Sequence, residues 1–180
     1  MTFNKIQDKL KAKIQKVSEQ RKKFISQLNV SSPEFQIATW FGSGLLIPAP
    51  GTWGTIGGGI FGVALLYLTS PIVTLLVSMI LTAIGYWSIK KIEKQTEEHD
   101  SSFIVIDEVV AILMVFALMP NPTWIMTLLA FVIFRFFDAL KPWPINWLDK
   151  HIQGAAGVII DDLMAELYTL LILWGIHGFI

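Results

Sequence analysis

Residues 45–61 read "LLIPAPGTWGTIGGGIF". Two prolines, five glycines and two threonines fall in this stretch, and no charge does. Its flanks are apolar enough to enter a bilayer. Its middle is a poor place for an undisturbed helix, because glycine and proline are the weakest helix formers. What such an interruption offers is bare backbone N–H groups at the start of a following helix, which suit an anion. A plain helix-breaking hinge has the same composition. Outward from it, no charged residue occurs from Phe35 to Ile89, from Val109 to Phe134, or after Glu166 apart from His177. Runs of that kind point to membrane spans. A very apolar soluble helical bundle is the competing arrangement.

Hydrophobic residues make up 53% of the chain and charged residues 16%, against roughly 25% charged in a soluble domain. The net charge of zero hides where the charges sit. The absence of cysteine excludes disulfides, thiolate metal sites and a cysteine nucleophile. The N-terminus is charged and periodic where a signal peptide would be apolar, so no cleaved leader is expected.

At 180 residues the chain suits one domain, with a basic helical segment over 1–30 and a membrane-embedded region over 31–180. Within residues 3–28, Ile6, Leu10, Ile14, Val17, Phe24, Ile25 and Leu28 recur at spacings of three and four. Lys5, Lys9, Lys11, Lys13, Lys16, Arg21, Lys22 and Lys23 fill most of the rest. Such a helix can lie on an anionic leaflet, each basic residue contributing about 1 kcal/mol. A solvated arm or a coiled-coil contact fits the same pattern. After a linker from Asn29 to Pro33, the apolar stretch Phe35–Ile47 is short for a span and suits a re-entrant or interfacial piece. Apolar runs then cover Ile56–Thr69, Ile72–Ile89, Phe103–Met119, Pro122–Leu140 and Val158–Ile180. The expected fold is all-α: a polytopic membrane bundle of four or five helices, some short or re-entrant, with an N-terminal amphipathic helix.

The basic residues orient this bundle. Eight of the 14 precede the first run; Lys90, Lys91 and Lys94 follow the second; Arg135, Lys141 and Lys150 surround the end of the fourth. Alternate threading places all of them on one side, which the positive-inside rule assigns to the cytoplasm. The same threading brings Asp107, Glu108, Asp138, Asp161 and Asp162 to one depth beneath the cytoplasmic headgroups, with Thr52 and Thr55 at the mouth of the first run. Charges in membrane segments cost several kcal/mol unless paired. A structural ion-pair network, such as Arg135 with Asp138, is one resolution. Two basic residues cannot neutralise five carboxylates, and a divalent cation can; an all-oxygen set suits Mg2+, Mn2+ or Ca2+. Arg135, Lys141 and the glycine-rich stretch add anion-binding parts at the same depth, so a phospholipid headgroup is the expected ligand. Trp143 and Trp147 fit an interfacial belt beside it. No nucleic-acid partner is expected.

"PAPGTWGT" (48–55), "DSSFIVIDEVV" (100–110), "FRFFDALKPWPINWLD" (134–149) and "GAAGVIIDDLMAE" (154–166) together resemble the phosphatidylglycerophosphatase A family, in its order and approximate spacing. The resemblance implies a bacterial cytoplasmic-membrane enzyme, multi-pass, with its active site facing the cytoplasm. It implies Mg2+-dependent removal of the terminal phosphate of phosphatidylglycerophosphate to give phosphatidylglycerol, with Mn2+ able to substitute. Site positions carried by the motifs are Thr52, Thr55, Arg135 and Lys141 for substrate, and Asp107, Glu108, Asp138, Asp161 and Asp162 for metal. Asp107, Asp138 and Asp162 are the expected catalytic carboxylates. Glu166 stands where the family more often has a small residue, and is not counted among them. A metal-activated water would attack phosphorus in line, with an aspartyl-phosphate as the competing route. A small ion or proton transporter and a phosphatidyl transferase are the functional alternatives. The first would place its carboxylates near mid-membrane; the second would carry an extended Asp-rich pattern that this chain lacks.

Overall fold

A computed structural model describes residues 2–97 and 101–177, with side chains from residue 7 onward. The side chains of Lys5 and Ile6, Asp100, and residues 178–180 of the last apolar run lie outside the described residues. Among the described residues the regular structure is helical, as expected. In chain order the helices are α1 (Thr2–Ser26), α2 (Pro33–Ala38), α3 (Pro50–Leu68), α4 (Pro71–Thr96), α5 (Ile106–Leu118), α6 (Trp124–Leu140), α7 (Ile145–His151) and α8 (Gly154–His177); a 3-10 turn at Ser43–Leu45 precedes α3.

α5 explains the arrangement. Beyond its first turn its sequence is apolar on every side, and Val109, Val110, Ala111, Ile112, Leu113 and Val115 are all buried. A helix hydrophobic all round belongs at the centre. α3, α4, α6 and α8 pack around it.

The quoted stretch turns out to be helix. α3 starts at Pro50, six residues before the expected Ile56, and the glycines lie inside it. Proline costs nothing in the first turn, where no carbonyl awaits its missing N–H. The glycines cost about 1 kcal/mol each in intrinsic propensity, and close contact with α5 overrides that. A Cβ at Gly54 would lie 2.4 Å from Val105 Cβ, and one at Gly58 would lie 2.9 Å from the Val109 Cα. Interhelix packing therefore decides what local propensity alone gets wrong.

Other boundaries follow capping chemistry. Ser70 accepts a hydrogen bond from the Val73 N–H at 3.3 Å and Thr123 from the Met126 N–H at 3.2 Å, starting α4 and α6 beside the expected hinges. α4 runs on past Ile89 to Thr96, carrying Lys90, Lys91 and Lys94 as its last turns. Stretch 35–47 is divided between α2 and the 3-10 turn by the left-handed residues Trp40, Phe41 and Gly42. α7 was not foreseen. The peptide bonds Ile47–Pro48 and Trp143–Pro144 are cis.

Two of the described helices, α3 with 19 residues and α4 with 26, are long and apolar enough to cross a membrane. α5 and α6, at 13 and 17 residues, are shorter. α8 has 24 residues but includes Asp161, Asp162 and Glu166. α1 is docked at its C-terminal end: Phe24 is buried against Phe35 and Phe103, with ring centroids 5.9 and 5.4 Å away. Its earlier turns leave Leu10 and Ile14 exposed.

Candidate active site

The N-terminal turns of α3 and α5, the C-terminal turn of α6 and the second turn of α8 meet at one end of the bundle. Arg135, near the end of α6, joins them. Its Nη1 donates to Thr55 Oγ1 at 3.1 Å and its Nη2 to Thr52 Oγ1 at 3.3 Å. The same guanidinium is ion-paired with Asp138, one turn along α6, and lies 3.6 Å from Glu108 Oε1 on α5. Thr55 in turn donates to the Gly51 carbonyl at 2.9 Å. A planar fork of five donors suits this work, because several acceptors can be held at fixed angles.

Glu108 and Arg135 reach this position because residue 51 has no side chain. A Cβ there would sit 2.1 Å from Glu108 Oε1 and 3.5 Å from Arg135 Nη1. Neither α3 nor α5 has a side-chain N-cap. Their first-turn N–H groups have no earlier turn to bond, and both helix N-termini contribute partial positive charge here.

Asp107, Glu108 and Asp162 form the second part of the site. Each offers a carboxylate oxygen, and these atoms all lie within 4.8 Å of one another. Asp107 Oδ1, Glu108 Oε2 and Asp162 Oδ2 are buried without a hydrogen-bond partner. Buried carboxylate oxygens left unpartnered are costly, and a hard cation taking one oxygen from each of these residues would offset that cost. The residues present thus fit a divalent metal. The other two acids of the expected set face basic groups. Asp138 holds Arg135, and Asp161 holds Lys141 while its Oδ1 accepts from the Asp162 N–H at 3.1 Å.

Lys141, the left-handed C-cap of α6, marks the rim. Its Nζ donates to Asp149 Oδ1 at 2.6 Å as well as to Asp161. Burial pulls its pKa down, but the hydrogen bonds and charges of Asp149 and Asp161 outweigh burial and push it above the ordinary lysine value. Trp143 and Trp147 are exposed nearby, and Tyr168 on α8 donates to the Trp143 carbonyl at 3.2 Å. His151 stacks on Trp147 and its Nδ1 lies 2.8 Å from the Trp147 carbonyl.

All nine expected site residues therefore come to one end, in three groups: Arg135 with Thr52, Thr55 and Asp138; Asp107 with Glu108 and Asp162; and Lys141 with Asp161. Three contributors were missed. Asp149 stood in plain view inside "KPWPINWLD", eight residues past Lys141. Gly51 had no signal beyond its place in the motif. Glu93 of α4 caps α8 by accepting from the Ala155 N–H at 3.1 Å, a contact between distant segments that spacing does not announce.

Comparison with known proteins identifies the family. The model of the family described as Phosphatidylglycerophosphatase A matches residues 36–177. A Haemophilus influenzae protein named Phosphatidylglycerophosphatase A is 37% identical over 153 residues, covering 85% of this chain and 94% of the relative. The Escherichia coli protein of the same name is 34% identical over 149 residues, covering 83% and 86%. A Bacteroides thetaiotaomicron protein, provisionally named a phosphatidylinositol-3-phosphatase, is 33% identical over 144 residues, covering 76% and 89%. No solved structure matches the chain.

Proposed function

The chain belongs to the phosphatidylglycerophosphatase A family, and on that premise we propose that it hydrolyses the terminal phosphomonoester of phosphatidylglycerophosphate, releasing phosphate and phosphatidylglycerol. The supporting observation is one juxtaposition. Three carboxylates with unpartnered buried oxygens lie beside an arginine whose fork is fixed by two threonines.

Asp107, Glu108 and Asp162 are the proposed holders of Mg2+, with Mn2+ able to take its place. When bound, the cation supplies positive charge against the phosphate oxygens and acidifies water. The chain's own residues do the rest. Arg135, with Thr52 and Thr55 fixing its plane, faces the phosphate and stabilises charge on its equatorial oxygens. Asp138 keeps that guanidinium aimed, and Asp161 with Asp149 does the same for Lys141, which attracts the dianion at the rim. Asp107 accepts the proton of the attacking water. The apolar flanks of α3, α5 and α8 exclude bulk water, which strengthens each of these interactions.

We place the enzyme in the bacterial cytoplasmic membrane as a multi-pass protein, α5, α6 and α8 joining α3 and α4 as tilted or partial spans. The clustering of basic residues at the site's end favours a cytoplasm-facing site. The exposed Leu10 and Ile14 among the lysines of α1 suit an anionic leaflet. Phosphate release from phosphatidylglycerophosphate by the detergent-purified protein with Mg2+ is the test. Chelation is expected to stop it, and Asp162→Asn to lower it sharply. No release with Mg2+, or undiminished release by that variant, would sink the reading.

A further inference from the structure

The glycines of α3 are explained unevenly by packing. At Gly54, Gly58 and Gly62 a Cβ would press on Val105, Val109 and Phe116 at 2.4, 2.9 and 2.9 Å, so contact with α5 requires them. Gly59 has no such reason. The nearest atom to its Cβ would be Phe131 Cδ2 at 3.9 Å, an ordinary contact distance. What lies beside Gly59 is an apolar groove of about 390 Å³ between α3 and α6, floored by Phe116 of α5.

The groove lies on the same two helices as the phosphate site, further along each from the charged end. On α3, residues four apart share a face, so Thr55 is followed by Gly59 and Val63, and Thr52 by Ile56 and Ile60. Both rows begin at a hydroxyl that Arg135 binds. On α6, Phe131 lies one turn before Arg135, and Leu128 and Trp124 follow toward the far end. At 1.5 Å per residue the α3 wall runs roughly 12 Å away from the charged end. No charged side chain lines it, and its rim residues Ile60 and Leu128 are 69% and 65% exposed.

We propose that this groove holds one acyl chain of the lipid whose phosphate sits at the charged end, and that residue 59 is glycine so that the chain can lie against α3. The proposal rests on the lipid-phosphatase reading and names the part of the substrate that the charged residues do not touch. A second copy of the chain fits less well. An α-helix with side chains is about 10–12 Å across, so the groove would hold less than a turn of one, whereas a hydrocarbon chain needs only a narrow apolar channel, with the flexible glycerol–phosphodiester–glycerol linker spanning from the charged end to it.

The test compares long-chain and short-chain phosphatidylglycerophosphate in mixed micelles, using wild type, Gly59→Leu and Leu128→Trp. Filling the groove is expected to lower the long-chain to short-chain ratio of kcat/KM about tenfold. A ratio unchanged in both variants overturns the proposal, while wild-type inactivity on both lipids overturns the lipid-phosphatase reading instead. If Gly59→Leu does not fold, Leu128→Trp decides. A long-chain substrate analogue with a mid-chain diazirine gives an independent readout. Adducts at Ile60, Phe131 or Leu128 that unlabelled substrate competes away support the groove. Equal labelling by a diazirine phosphatidylcholine, or a crosslink between two copies of the protein, overturns it.

Discussion

Arg135 and Lys141 stand six residues apart at the same end of α6, and the fold treats them differently. Arg135 is tied to three helices: to Thr52 and Thr55 on α3, to Glu108 on α5 and to Asp138 on its own. Its side chain is 19% exposed. Lys141 is tied to two carboxylates, Asp149 and Asp161, and its side chain is 30% exposed. The arginine is part of the frame that sets the positions of the acids; the lysine is a screened point charge at the rim. A planar fork can do the first task and an ammonium cannot. The two residues should therefore fail in different ways.

Arg135→Lys breaks the comparison most severely. It keeps the charge but loses the geometry, leaving Thr52, Thr55 and Glu108 without a common partner. We expect kcat to fall about a hundredfold or more, the scale seen when one preorganised donor is removed. KM should change much less, because the charge that attracts the substrate remains. A fall in KM affinity with kcat intact would mean that Arg135 merely binds.

Gly51→Ala attacks the same frame from the α3 side. The added Cβ would lie 2.1 Å from Glu108 Oε1, and the side chain's end can swing away more cheaply than a backbone can. Thermal stability should therefore drop little while kcat falls on the order of thirtyfold, about 2 kcal/mol of transition-state stabilisation. Gly54→Ala is the contrasting substitution. It presses on Val105 Cβ at 2.4 Å, close to the backbone, and should cost about 1–3 kcal/mol of stability. Parallel measurements of kcat and unfolding temperature separate the two; equal loss of stability in both would show that Gly51 is a packing residue only.

Much of this site was legible because its residues lie at the ends of charge-free runs, and threading such runs back and forth forces their ends together. Helical class, one-sidedness and the nine converging residues follow from that. What stayed hidden depends on rotation and on contact. Asp161 and Asp162 are neighbours in sequence but point about 100° apart on a helix. Which one meets Lys141 and which one joins Asp107 and Glu108 is set by the rotation of α8, and so by packing on α5. The start of α3 was hidden for a related reason. Propensity reads "PGTWGTIGGG" as a break, and close packing of Gly54 and Gly58 on Val105 and Val109 is what sequence alone does not announce.

Lys141→Ala is the mildest of these four substitutions and sharpens the comparison at its other pole. Removing the ammonium leaves Asp149 and Asp161 repelling one another at the rim, but Arg135 and its frame are untouched. The expected result is a rise in KM of about tenfold with kcat nearly unchanged, the reverse of Arg135→Lys. The acid–base behaviour adds a check. Because the folded-state pKa of Lys141 is raised, its stabilising contribution is fully present below the unfolded value of about 10.4 and is lost only as pH climbs through the still higher folded value. Lys141 therefore stays charged across the working range, and the kcat/KM profiles of wild type and Lys141→Ala should run parallel from about pH 6 to about pH 10. A wild-type limb in that range that vanishes in the variant would show Lys141 trading a proton during turnover, and would move it from the rim into the chemistry.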